Sequence, residues 1–325
     1  MKHNFLALGL LAVFFVPALA QQGGTTGTQQ RPAAPRVTSI LEIYDVTTGT
    51  RKVVREFNTR MEAPNWTPDG KWLVYNSGGL LYKISPDIPG DEPKQINTDF
   101  VASCNNDHVI SFDGKFIAIS ASPVEARRSY VYTVPIEGGI PQLVTPVGPS
   151  YLHGISPDNN FLAYCADRNG NFDVYVIPAK GGVERRLTDA EGLDDGPEYS
   201  PDGKYIWFNS VRSGLMQAWR MKADGSEQTQ MTFDEDLNTW FPHVSPDSKQ
   251  VVLISYQKGD VAPGDHPANK NVMLRIMPAE GGEPTTIIKL FGGQGTINVN
   301  SWAPDSKRFA FVSYRLEEPS SSPAR

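Results

Sequence analysis

The sequence has no run of basic residues, no long apolar stretch after its first twenty positions, two cysteines and five histidines. Each shortage excludes something. Thirty Lys and Arg stand against 36 Asp and Glu, a net charge of −6 with no basic cluster, so the electrostatic footprint of a nucleic-acid binder is missing. No segment beyond residue 20 is long enough to cross a bilayer as a helix, and no membrane span is expected. Cys104 and Cys165 cannot make a disulfide framework. Whether they bond to each other is left open, because that needs Cα atoms within about 7 Å. The absence of a Gly-x-Ser-x-Gly elbow removes the serine peptidases that use one.

What is present is a chain of 325 residues, 39% hydrophobic and 10% aromatic, which is apolar enough to bury a large core. Residues 1–20 read as an export signal. Lys2 is followed by the apolar run Phe5 to Val16, and Ala18-Leu19-Ala20 fits the small-x-small cleavage rule. No cysteine follows the cleavage point, so no lipid anchor is expected, and the chain is read as periplasmic or secreted. Residues 21–36 read as a flexible tether, and residues 317–325 as a disordered tail.

Between them one pattern recurs six times. The anchors are Trp66-Thr-Pro-Asp69-Gly-Lys, Ser111-Phe-Asp113-Gly-Lys, Ser156-Pro-Asp158, Ser200-Pro-Asp202-Gly-Lys, Ser245-Pro-Asp247-Ser-Lys and Ala303-Pro-Asp305-Ser-Lys. Their aspartates are 44, 45, 44, 45 and 58 residues apart, the last interval carrying an insertion at Gln257–Asn271. Each anchor precedes a strand-like run such as Phe116-Ile-Ala-Ile119 or Tyr205-Ile-Trp-Phe208. A polar hairpin, a third strand, a Gly-Gly or Asp-Gly turn and a fourth strand ending near Leu-Thr complete the unit. Four strands in about 45 residues make a propeller blade. The expected fold is all-β, a six-bladed β-propeller of four-stranded blades over residues 37–316. The last repeat supplies only two strands, so the N-terminal hairpin, Ser39–Asp45 with Arg51–Phe57, is expected to close blade six.

The Ser-Pro-Asp-Gly-Lys anchor, the hairpin Asp167-Arg-Asn-Gly-Asn-Phe-Asp-Val-Tyr and the terminal Leu-Thr resemble the blades of the TolB-like propeller family. The resemblance covers essentially residues 37–316 and implies the propeller. It does not imply the docking role of the α/β domain that precedes the propeller in TolB, because those motifs are turn and strand chemistry.

The strand before each anchor should be innermost, and positions just ahead of each anchor aspartate should gather at a channel mouth on the face opposite the anchor turns. Those positions are Asn65, Asp107, His108, His153, Glu198, His243, Asn298 and Asn300. His108, His153 and His243 fall on equivalent strands and are the candidates for metal ligation or acid–base catalysis. The plain alternative is that the same side chains hold channel water. Gln294 could reach the mouth from the loop entering blade six, and Trp240 is the tryptophan expected to stack on a sugar or peptide. Trp66, Trp207, Trp219 and Trp302 are read as packing between blades. Arg127, Arg128, Arg168 and Arg212 stand in hairpins of the same face, where they could meet an anion. Asp167–Asp173 alternates like a calcium loop, but its glycine is misplaced and it reads as a turn.

Two functions follow. One is a monomeric binding module for a saccharide or an envelope or extracellular protein. The other is a metal-assisted carbohydrate enzyme. Oligogalacturonate lyases are similar at the level of the blade, and that resemblance implies histidines and a glutamine around a divalent metal.

Overall fold

A computed structural model describes residues 36–317 except 124 and 125; the export signal and nearly all of the expected tether and tail lie outside the described residues. Among the described residues there is no helix. Blade one is β3 (Glu62–Trp66), β4 (Leu73–Ser77), β5 (Leu80–Ile84) and β6 (Lys94–Ile96). Blade two is β7 (Cys104–Ile110), β8 (Phe116–Ala121), β9 (Tyr130–Pro135) and β10 (Gln142–Leu143). Blade three is β11 (Ser150–Ile155), β12 (Phe161–Asp167), β13 (Phe172–Pro178) and β14 (Arg185–Arg186). Blade four is β15 (Asp194–Tyr199), β16 (Tyr205–Ser210), β17 (Gln217–Lys222) and β18 (Thr229–Gln230). Blade five is β19 (Leu237–Val244), β20 (Gln250–Gln257), β21 (Lys270–Pro278) and β22 (Thr285–Gly292). In each of the five, sheet order follows chain order.

Blade six joins the two ends of the chain. β1 (Arg36–Asp45) lies between β2 (Thr50–Phe57) and β23 (Arg308–Glu317). The antiparallel register of β1 with β23 runs unbroken from Arg36↔Glu317 to Asp45↔Arg308. The inner edge is a short segment paired with β23 through the Trp302↔Phe309 bridge. The buried Glu42 of β1 accepts from Ser313 Oγ at 2.6 Å and pairs with Arg51.

The anchors recur because each is a self-contained lock. The Ser111 hydroxyl donates to Asp113 Oδ1 at 2.8 Å and accepts from the Phe116 amide at 3.0 Å. Thr67, Ser156, Ser200 and Ser245 do the same with Asp69, Asp158, Asp202 and Asp247. The turn residue after the aspartate sits at positive φ: Gly70, Gly114 and Gly203, but Asn159, Ser248 and Ser306 in the other blades. Two of these departures tie neighbouring blades. Asn159 Oδ1 accepts from the Phe112 amide at 2.8 Å, and Ser306 Oγ from the Asp247 amide at 3.0 Å. The terminal Leu-Thr has a similar purpose: Thr188 and Thr232 hydroxyls accept from the Val174 and Ala218 amides, fastening a two-residue fourth strand to the third.

The hydrophobic core is divided into six clusters, one at each blade interface. Second strands are buried on both faces, and alternate residues serve alternate interfaces. Ile117 and Ile119 pack toward blade one while Ala118 packs toward blade three. Ile206 and Phe208 face blade three while Trp207 faces blade five. The period of two in a strand produces this division. Trp66, Trp207 and Trp302 lie in these interfaces, and Trp219 packs against one.

Cys104 and Cys165 are buried free thiols. Burial pushes the Cys104 thiol up to about 12, and Cys165 donates to the Asp194 carbonyl at 3.3 Å.

Deleting Val37–Phe57 would expose the edge of β23 and strip one face of an interface; aggregation or loss of a cooperative melt is expected, measured by light scattering and calorimetry. Ser200→Ala should cost about 1 kcal/mol in denaturant unfolding, because one hydroxyl satisfies both the anchor carboxylate and a strand amide.

Candidate functional site

Inner strands of blades one to five each carry a register shift at the same height: Glu62/Asn65, Cys104/His108, Leu152/Gly154, Asp195/Glu198 and Trp240/His243. A bulge re-aims the residues beside it. In three blades the residue six before the anchor aspartate is left-handed: Ala63 at φ 57°, Gly196 at 59° and Phe241 at 50°. Such a φ strains a bulky aromatic. The alternation on which the expected mouth was built is therefore broken at the functional height.

His108 is the clearest casualty. It is fully buried, with Nε2 3.4 Å from the Val74 carbonyl of the neighbouring blade and Nδ1 without a partner. Burial lowers its pKa to about 4, so it is neutral. The three histidines expected to share a metal or a reaction are thus not brought together. Among the described residues no group of three or more His, Cys, Asp or Glu is arranged to hold a metal ion. Trp240 is fully buried in the interface of blades five and six and cannot stack on a ligand.

The other predicted residues do meet in the channel, and most spend their hydrogen bonds on joining blades. Asn65 donates to the Asn300 carbonyl at 2.6 Å and accepts from the Ile110 amide at 3.0 Å, linking blades six, one and two. Glu198 Oε2 is 2.6 Å from His243 Nδ1, while Oε1 accepts from the Val244 amide at 3.0 Å and Asn300 Nδ2 at 2.7 Å. His243 Nε2 faces the Ile297 carbonyl. Asn298 Nδ2 donates across the channel to Asp107 Oδ1 at 2.7 Å.

His153 is held differently. Its Nε2 lies 3.3 Å from Asp195 Oδ1, and Nδ1 has no protein partner among the described residues. Burial alone would lower its pKa, but the charges of Asp107 and Asp195 and the bond to Asp195 outweigh it and raise the group above 6.5. Asp195, equally buried, is held well below the usual carboxylate range by His153 and by the charge of His266. Desolvation raises Asp107. Asp195 was missed in the sequence because it lies seven residues ahead of its anchor; the Asp194-Asp195 pair on an inner strand was the available signal. Phe241 was missed as a channel residue for the same reason. Its ring lies nearly parallel to His153 and His243, with centroids 5.8 and 6.4 Å away.

A cavity lies at the opposite end from the expected mouth. It measures about 210 Å³ and is walled by anchor residues Pro68, Pro201, Pro246, Pro304 and Phe112, with Val109, Ile155 and Val244. Its polar lining is Asn65, Thr67, His153, Glu198 and Asn300. Loop lengths explain the inversion. Anchor turns are too short to reach over the channel, whereas the blade-five insertion reaches neighbouring blades on the other face. Pro267 accepts from Tyr256 Oη at 3.1 Å and from the Gln294 amide at 3.3 Å, and Asn269 accepts from Arg60 at 2.8 Å. Inside that insertion His266 packs on Trp240 and Phe241, with centroids 4.2 and 5.2 Å away, and Gln294 Nε2 is 3.5 Å from its Nε2.

The candidate anion-binding arginines divide in two. Arg168 is bound to Glu184, and Arg212 to Asp194 and Gln228. Arg127 and Arg128 are exposed. The supposed calcium loop is a hairpin turn in which Asp167 Oδ1 accepts from the Gly170 amide at 2.7 Å.

His153 and His108 should titrate oppositely in an NMR pH series. His153 is expected to protonate above 6.5, giving stability that is complete below that value and lost as pH rises through its folded one. His108 should stay neutral down to about 4, giving stability that is present above 6.5 and lost as pH falls toward 4.

The TolB beta propeller domain family matches residues 109–279. An uncharacterized protein of Agrobacterium fabrum is 47% identical over 277 residues, covering 85% of this chain and 92% of its own. The Tol-Pal system protein TolB of Francisella tularensis is 26% identical over 210 residues, 62% of this chain and 47% of that protein; the chain spans about half the length of this relative. A solved Agrobacterium tumefaciens structure bearing the TolB name superposes with a TM-score of 0.81 at 46% identity, covering 87% of this chain and 99% of that one. An oligogalacturonate lyase in complex with manganese shares the fold alone, with a TM-score of 0.52 at 13% identity over 89% of this chain and 99% of that one.

Proposed function

Because the chain belongs to the TolB beta propeller domain family, we propose that it is a binding module whose channel takes a side chain of a protein partner at the anchor-turn end. The observation that carries this reading is the cavity of about 210 Å³, with an apolar collar and a polar floor. Prolines, valines and Phe112, itself 41% exposed, offer surface that gains from leaving water. In the floor, Glu198, Asn65 and Asn300 are already committed to the ring. His153 is the floor group with donor capacity left, and its Nδ1–H would meet an acceptor on the partner. Pockets of this type, mostly apolar with few directed polar groups, are the usual form of a binding site.

The enzymatic alternative has less behind it. It drew on His108, His153 and His243 as candidate ligands or bases, and His108 lies between blades. The periplasmic or secreted location is part of the proposal and rests on residues 1–20.

Peptides selected on the immobilised protein from a random display library are the probe. Val109→Trp fills the cavity from a partly exposed wall and should weaken the selected peptides at least about ten-fold, with an unchanged melting temperature. His153→Gln should weaken them by about ten-fold as well. Binding by the parent should decline as pH rises through the raised His153 value, because only the imidazolium donates from both nitrogens. Selected peptides that bind Val109→Trp as tightly as the parent would place recognition elsewhere.

A further inference from the structure

The face opposite the anchor turns carries a second concavity, of about 510 Å³, between blades two and three. Three loops build it: the β8–β9 connection with Arg127 and Arg128, the entry to β11 with Val147, Gly148 and Pro149, and the β12–β13 hairpin with Asp167 and Arg168. Tyr151 lines its inner side.

The three guanidiniums are not equivalent. Arg168 is structural. Nε and Nη2 clasp Glu184 at 2.6 and 2.9 Å, Nη1 donates to the Pro149 carbonyl at 2.9 Å, and Nη2 also reaches the Val147 carbonyl at 3.2 Å and Ser150 Oγ at 2.9 Å. It neutralises Glu184 and pins the neighbouring loop, giving the concavity a rigid wall. Arg128 makes one long bond, Nη1 to the Gly148 carbonyl at 3.3 Å, and both Arg127 and Arg128 are exposed. Among the described residues neither forms an ion pair. Among the described residues Asp167 is the one carboxylate in the lining, and its Oδ1 is taken by the Gly170 amide at 2.7 Å. A surplus of positive charge thus faces a walled pocket on a protein whose net charge is −6.

Guanidinium forks match a carboxylate in a bidentate way, and adjacent arginines on a preformed wall favour a fixed oxyanion. Tyr151, whose ring stands 6.2 Å from that of Phe172, adds an aromatic surface with a polar tip, which suits the face and hydroxyls of a sugar. We propose that this concavity binds an acidic sugar of the hexuronate class, with its carboxylate on Arg127 and Arg128 and its ring against Tyr151. The site is separate from the anchor-end cavity and does not depend on the reading of that cavity.

Titration calorimetry of the full chain with digalacturonate at low salt tests it, with lactose and inorganic phosphate as the other two arms. Saturable binding of digalacturonate, none of lactose, and a weaker interaction with phosphate are expected. Arg127→Gln with Arg128→Gln should raise Kd for digalacturonate at least ten-fold while the melting temperature stays unchanged. Arg128→Lys, which keeps the charge and loses the fork, should fall between parent and double variant. Val109→Trp should bind digalacturonate as the parent does, so failure here and failure of the proposed channel site are distinguishable. Equal binding of digalacturonate by parent and double variant, binding of lactose as tight as digalacturonate, tighter binding of phosphate, or no binding of digalacturonate would each overturn the assignment.

Discussion

The structure depends on the fact that a four-stranded blade whose second strand is apolar on both faces cannot stand alone. Ile117, Ala118 and Ile119 are consecutive and all buried, and successive members face different neighbours. Every blade therefore needs two partners, and only a closed ring provides them. The pairing of β1 with β23 is the closure. Its ten-residue register is the longest among the described residues, and it joins positions 263 to 281 residues apart. The loop-closure entropy of so distant a contact is offset by completing two hydrophobic interfaces at once.

Closure also creates the channel, and the channel has its own requirement. Polar side chains pointing into a narrow buried space must find partners. They find them across blade boundaries: Asn65 joins blades six, one and two, and Glu198 joins blades four, five and six. The same residues that make the channel polar also hold the ring shut. His153 departs from this pattern, since its tie to Asp195 uses one nitrogen and leaves the other.

The two ends of the channel differ for a steric reason. Anchor turns of the Pro-Asp-Gly type fold back at once through the hydroxyl–aspartate lock, so they rim the channel without covering it. The insertion in blade five has the length to cross, and Pro267, Asn269 and His266 hold it against Tyr256, Gln294, Arg60 and Trp240. A cavity with an apolar collar at one end and a strapped cluster of ionisable groups at the other follow from one insertion.

The repeat, the blade count, the turn chemistry and the partner of the N-terminal hairpin were legible in the sequence because each is local or periodic. Anchor spacing records blade number, strand alternation records burial on both faces, and the unfinished last repeat records what must close it. The channel was legible only in part. That Asn65, Asp107, His153, Glu198, His243, Asn298 and Asn300 approach one another follows from repeat position alone. Which side chain faces inward does not, because a bulge on each inner strand breaks the period of two at that height. It turned His108 between blades and brought Phe241 beside the histidines. Tertiary structure alone decided the open end, since that depends on how far one loop reaches across the ring, a distance no local pattern encodes.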